Sequence, residues 1–433
     1  MTTSFFKQKT YLRSLMKVLI KQATIISPSS PFNGKVKDIL VNEGVIQSIS
    51  NNISENADKF IDVPGLFVSI GWVDVFAHFC DPGLEYKETM ESGARAAAAG
   101  GFTDVMILPD TLPVVDSKTQ IEYIVQKAKS LSVHIHPIGA VTKNTDGKEL
   151  AEMYDMRQSG AIAFGDGTHS IQNAGLLLKA LQYVRSFDGT IIQIPDDRSI
   201  GTNGLMNEGI ISTQLGLPGK PAIAEELMVA RDIKLAGYTE SKIHFTGIST
   251  AKSLDHIKKA KEAGIQVTCS VTPYHLYFCD EDLQGYDTNL KVNPPLRTKE
   301  DRTALQQALA DGIIDCIASH HLPQNTDNKI CEFEHAKIGM TGLETMMGVL
   351  FSIGLPVAAF VKMQTVNTRN IFGLNLPQIT EGAGACLTLF TAEPEYAFEE
   401  SMIRSKSKNT PFIGKKMKGK IVGIINGHKM ELN

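Results

Sequence analysis

Histidines and carboxylates at strand-like spacing are the residues of this chain best placed for chemistry. Asp74 and His78 stand four apart in Trp72-Val73-Asp74-Val75-Phe76-Ala77-His78-Phe79, and the period of two along a strand turns both to one face. His320 and His321 close the apolar run that begins at Asp315, and Asp166 closes the run that begins at Ala161. Imidazole and carboxylate are nitrogen and oxygen ligands of zinc, and three of them suffice for a catalytic site that keeps one position open. His78, Asp166, His320 and His321 are therefore candidates for a one-metal site that activates water. His134-Ile135-His136 also has the form of a metal pair. The plainer reading stands beside these: a lone interior histidine on a nearby carboxylate, here His78 on Asp74, is more frequent than a ligand, and His244 and His275 at strand ends are expected to pack and cap.

The elements that must position these groups follow from the pattern of apolar runs. After Pro64-Gly65 such runs alternate with helical stretches, the signature of βα units and a parallel sheet. Eight strands are predicted, at 72–79, 103–109, 133–141, 161–166, 190–195, 242–249, 266–272 and 315–321. Stretches such as 87–101, 173–186 and 251–264 supply helices between them. Eight units of this kind close a (β/α)8 TIM-type barrel, placed here at residues 65–372. Before it, 16–64 reads as short alternating strands with a tight turn at Asn42-Glu43-Gly44. After it, 373–433 returns to that texture, with Asn426-Gly427 as a hairpin turn.

Composition narrows the class. The 433 residues are 42% hydrophobic and 21% charged with a formal net charge of −4, both signs interspersed, which leaves no footprint for nucleic acid. No apolar run approaches the ~20 residues that span a bilayer, so no membrane association is expected. Six cysteines without a C-x-x-C pair fit a reducing cytoplasm. Residues 1–15, basic and without an apolar core, are expected to be a disordered arm or to precede a true start at Met16. Lys415-Lys416-Met417-Lys418-Gly419-Lys420 is expected to be a solvated strand face, with contact to an acidic partner as the alternative.

The motifs resemble those of dihydroorotases, members of the amidohydrolase superfamily. Asp74-Val75-Phe76-Ala77-His78-Phe79-Cys80-Asp81-Pro82-Gly83 is similar to the family's D-x-H-x-H-x-R-x-P-G. Leu108-Pro109-Asp110-Thr111 stands for M-P-N-T, Ala163-Phe164-Gly165-Asp166 for A-F-x-D-D, and Ser249-Thr250 for the end of H-V-S-T. Lys291 to Arg297, Ile338 to Thr345 and Asn409-Thr410-Pro411-Phe412-Ile413-Gly414 follow in register. The resemblance runs from Met16 to the end. It implies the barrel together with a small composite β-sandwich domain built from both chain ends, and hydrolysis or closure of a cyclic amide by hydroxide held between two metals, with an aspartate shuttling the proton.

Set against that pattern, the chain lacks most of the machinery. Phe76 replaces the first histidine of H-x-H, Ile194 the histidine of the fifth strand, and Gly247 that of the sixth. His320 stands at the position of the catalytic aspartate. Cys80 replaces the arginine that would fork onto a substrate carboxylate, a contact worth roughly 1.5–3 kcal/mol. Asp110 replaces an asparagine, adding a charge that repels an anion, and Gln324 replaces a histidine, whereas Asn293 and Gly339 survive. These five are the expected pocket positions. The resemblance thus implies a dihydroorotase-like pseudoenzyme with a structural or regulatory role in pyrimidine synthesis, needing no cofactor, forming a homo-oligomer and pairing with aspartate transcarbamoylase. Two rivals remain open: a cyclic-amide hydrolase with a rebuilt one-zinc site, and a small-molecule sensor.

Overall fold

The computed structural model describes residues 17–433; the basic stretch 1–15 and the start at Met16 lie outside the described residues. Eight parallel strands appear at the predicted places: Trp72–Ala77, Phe102–Ile107, His134–Gly139, Ala163–Phe164, Thr190–Gln193, Lys242–Phe245, Val267–Val271 and Cys316–Ile317. Each pairs with the next in chain order. The first and last meet through an Ala77–His321 bridge. There Asp74 accepts from the Ser319 backbone N–H and from its hydroxyl, both at 2.7 Å, so a buried carboxylate ties the barrel shut.

Parallel neighbours need crossovers, and helices supply them. Met90–Ala99 starts on a reciprocal Thr89–Ser92 capping box. Ala174–Arg185 starts on Asn173, and Ala251–Glu262 on Thr250. In the second of these helices Leu177, Ala180, Leu181 and Val184 are buried, the 3–4 spacing that lays one stripe against the strands. Inside the barrel Val73, Val75, Phe76, Met106, Leu108, Ile138, Ala163, Ile192, Ile194 and Ala318 form one apolar cluster.

The second layer is an eight-stranded sheet that takes strands from both chain ends. Leu66–Ile70 is its junction, parallel to Lys17–Ile26 and antiparallel to Cys386–Ala397. The sequence boundary put this strand in the barrel. It belongs to the sheet because Leu66, Val68 and Ile70 pack into the sheet's own apolar cluster with Leu387 and Leu389. The tight turn forms where expected, with Glu43 at φ 51° and Gly44 at φ 73°. A side chain at Gly44 would lie 2.6 Å from the Gly427 carbonyl carbon, so the two turns stack. In the lysine-rich stretch Lys418 pairs with Glu393 at 2.5 Å. The stretch between the last long strands leaves the sheet: Asn409 donates to the carbonyls of Leu322 and Gly339 over the barrel mouth. Among the described residues no helix is long and apolar enough to cross a membrane.

Candidate functional site

Where the resemblance places metals, the barrel is filled. Phe76 stacks on His320 with ring centroids 4.3 Å apart. His320 occupies the space that a side chain at position 247 would need, since a Cβ on Gly247 would come within 2.7 Å of its Cε1. Its Nε2 shares a 2.8 Å hydrogen bond with the Thr246 hydroxyl, and Nδ1 has no partner among the described residues. From Thr246 the bonds continue through Ser270 to His244 and on to Thr268. Burial, with His275 and His244 nearby, pushes the His320 imidazolium down to about 3. His244 and His275 are driven by burial to about 3 and about 4, so these rings are neutral members of a buried network. His275 bonds Thr272 and the Pro294 carbonyl, in keeping with its expected capping role.

The remaining metal candidates point elsewhere. His78 does not bond Asp74, contrary to the sequence reading, because Ser319 takes both oxygens of that carboxylate. His78 Nδ1 accepts the backbone N–H of Cys80 at 2.9 Å, and Nε2 reaches the Asp110 carbonyl at 3.1 Å. Burial opposes charging this ring, while Cys80 and Asp110 outweigh it and lift the group to about 9. The Cys80 N–H nonetheless needs a lone pair on Nδ1, so the geometry holds the neutral tautomer with a proton on Nε2. Asp166 accepts from the backbone of Val141 and Thr142 and from the Thr142 hydroxyl, which commits both oxygens to the loop after the third strand. Burial raises its carboxyl to about 6 against those bonds. His321 turns to Glu88, 3.6 Å away, and accepts from Gly342 N.

The four candidates therefore do not converge, and among the described residues no three His, Cys, Asp or Glu side chains are grouped to hold a metal ion. The residues present do not fit a zinc site, of one metal or two. His134 and His136 face Asp104, at 3.4 and 2.9 Å, and Arg369 joins them at 2.8 Å. Arg369 neutralises this buried carboxylate, at the end of the barrel where the third strand begins.

Above this plug lies a cavity of about 430 Å³. Of the five positions, Cys80, Asp110, Asn293 and Gln324 line it; Gly339 does not, although its neighbour Ile338 does. Gly339 instead holds φ 129° where a Cβ would strike the Leu322 carbonyl at 2.6 Å. Sequence reading missed the cavity's basic groups and Asp196. Lys220 bonds Asp196 at 2.7 Å and the Asn293 amide oxygen at 2.8 Å, and Arg198 and Lys87 stand at the lining. Lys220, Arg198 and Asp196 carry no motif in the sequence.

The closed barrel and the sheet built from both chain ends define an amidohydrolase-type (β/α)8 barrel. Solved structures share this fold: an L-hydantoinase (dihydropyrimidinase) from Arthrobacter aurescens superposes with TM-score 0.83 at 22% identity over 97% of this chain and 98% of its own. A D-hydantoinase gives 0.79 at 19% identity, over 96% and 95%. The dihydro-orotase-like family model matches residues 65–253. Proteins named dihydroorotase are 39% identical in Syntrophus aciditrophicus, over 94% of this chain and 97% of the relative, and 41% identical in Ruminiclostridium cellulolyticum, over 92% and 94%. The chain belongs to the dihydroorotase-like family.

Proposed function

We propose that this chain is a member of the family that neither hydrolyses nor closes a cyclic amide, and that it serves pyrimidine synthesis as a structural or regulatory subunit. The observation that carries the reading is the Phe76–His320 stack at 4.3 Å, because it fills the volume where hydroxide would have to be held. Metal-assisted hydrolysis needs a polarising cation, an activated water and a proton carrier acting together. His320, neutral and stacked, is a poor substitute for a carboxylate base. Partnership with aspartate transcarbamoylase rests on the family resemblance. The names of the relatives favour the rival reading, a metal-dependent cyclic-amide hydrolase. Metal analysis of protein purified without chelators separates the two. Substoichiometric zinc supports the proposal, and one or two tightly held zinc ions per chain supports the rival.

A further inference from the structure

One barrel helix is apolar on the face it turns away from the barrel. Ile223–Thr239 buries Met228, Val229, Ile233 and Ala236 on its inner side. Its outer side carries Ile223, Leu227 and Tyr238 at 43, 48 and 76% exposure, with Ala230 and Lys234 between them. The next long barrel helix, Ala251–Glu262, turns Lys252, Asp255, Lys258 and Lys259 outward instead. A surface helix ordinarily keeps a single apolar stripe, and a helix with apolar residues all round is a buried one. Ile223, Leu227, Ala230 and Lys234 recur at intervals of four, three and four, the spacing of a two-helix seam. Ile210, 76% exposed, stands near the start of this stripe, since its neighbouring strand Met206–Asn207 pairs with Gly219–Lys220.

The charges beside the stripe select its occupant. Glu226 and Lys234 make no hydrogen bond or ion pair among the described residues. Burial and the neighbouring Glu225 carboxylate hold the Glu226 carboxyl above its ordinary range, so this group lacks a cation. The two residues stand four positions to either side of Ala230. A second copy of the helix laid antiparallel about Ala230 therefore sets each Glu226 level with the other copy's Lys234, and Tyr238 beside Ile223. Ala230 then meets itself, and its methyl side chain lets the two helices approach. A parallel copy would set Lys234 against Lys234.

We propose that this face is the two-fold contact between two copies of the chain, with the Ile223–Thr239 helices packed antiparallel about Ala230. A two-fold contact uses the same patch on both subunits, so one self-complementary stripe serves both sides. The contact lies on the outer wall of the barrel and stands whether or not the mouth turns over a substrate.

The test is sedimentation velocity of the full chain at micromolar concentration. The native chain should sediment as a dimer. Leu227→Asp puts a charge in the seam, and Lys234→Glu sets like charges level across it; each should weaken dimerisation at least ~10-fold. Both positions are exposed, so thermal unfolding should show both variants folded. Combining Lys234→Glu with Glu226→Lys should restore the dimer, because the exchanged charges again stand opposite one another. A monomeric native chain, a dimer indifferent to either single variant, or failure of the charge exchange to restore association overturns the proposal.

Discussion

A Cβ at Gly247 would lie 2.7 Å from His320 Cε1, so the loss of a side chain at one position and the gain of an imidazole at the other are a single packing event. Gly247 also holds φ 72°, a conformation that costs other residues. Gly247→Ala is expected to destabilise the protein by about 1–3 kcal/mol in urea unfolding. His320→Ala in the same chain removes the clash, so the double variant should lose less stability than the two single losses added together. Strict additivity would show that the two positions do not compete for space.

Restoring one family ligand does not restore a site. Phe76→His would stack a second neutral imidazole on His320 in a pocket otherwise walled by Ile194, Met106 and Ala318, so its burial is poorly repaid. The expected result is a loss of about 1–3 kcal/mol of stability and no gain of activity or bound zinc. Single-site rescue of turnover would mean that the residual groups can converge after all.

Asp166 supplies a pH test. Its folded-state carboxyl is raised to about 6 from an ordinary value of 3.8, so the protonated form is favoured by folding. The stability this contributes is complete below the unfolded value and is lost as pH rises through about 6. Asp166→Asn can keep the Val141 and Thr142 backbone bonds and turn the Thr142 hydroxyl round as an acceptor. Between pH 4 and 7 the native chain should lose about 2 kcal/mol relative to this variant. Parallel stability curves would show that Asp166 titrates normally.

Much of this was legible in the sequence, for a physical reason. Barrel strands are buried on both faces and read as apolar runs, which is why even the two-residue strand Ala163–Phe164 was found. Leu66–Ile70 was misassigned because its run continues without a break of texture into Trp72, and apolarity does not say which sheet a strand joins. Phe76, Ile194 and Gly247 were legible as lost ligands because side-chain chemistry at a motif position needs no geometry. The partners of His78 were not legible: Asp110 lies 32 positions away on another loop, and Ser319, which claims Asp74, lies 245 positions away. Arg198 in a turn and Lys220 in the short strand Gly219–Lys220 are lone basic residues without a motif, and only the fold brings them to the cavity.

Partnership predicts a shared surface. Co-expressed with aspartate transcarbamoylase of the same organism, the chain should co-elute with it at micromolar concentration, burying at least ~1,000 Å² in total. It should also change that enzyme's stability or activity. Separate migration, with the transferase equally active alone, would remove this part of the account.

The most direct measurement is conversion of dihydroorotate by the purified full chain, followed in both directions, with and without added zinc. The account predicts no rate above the buffer control under any of these conditions. Saturable turnover that is abolished by His320→Ala would contradict it and establish a rebuilt hydrolytic site at the barrel mouth.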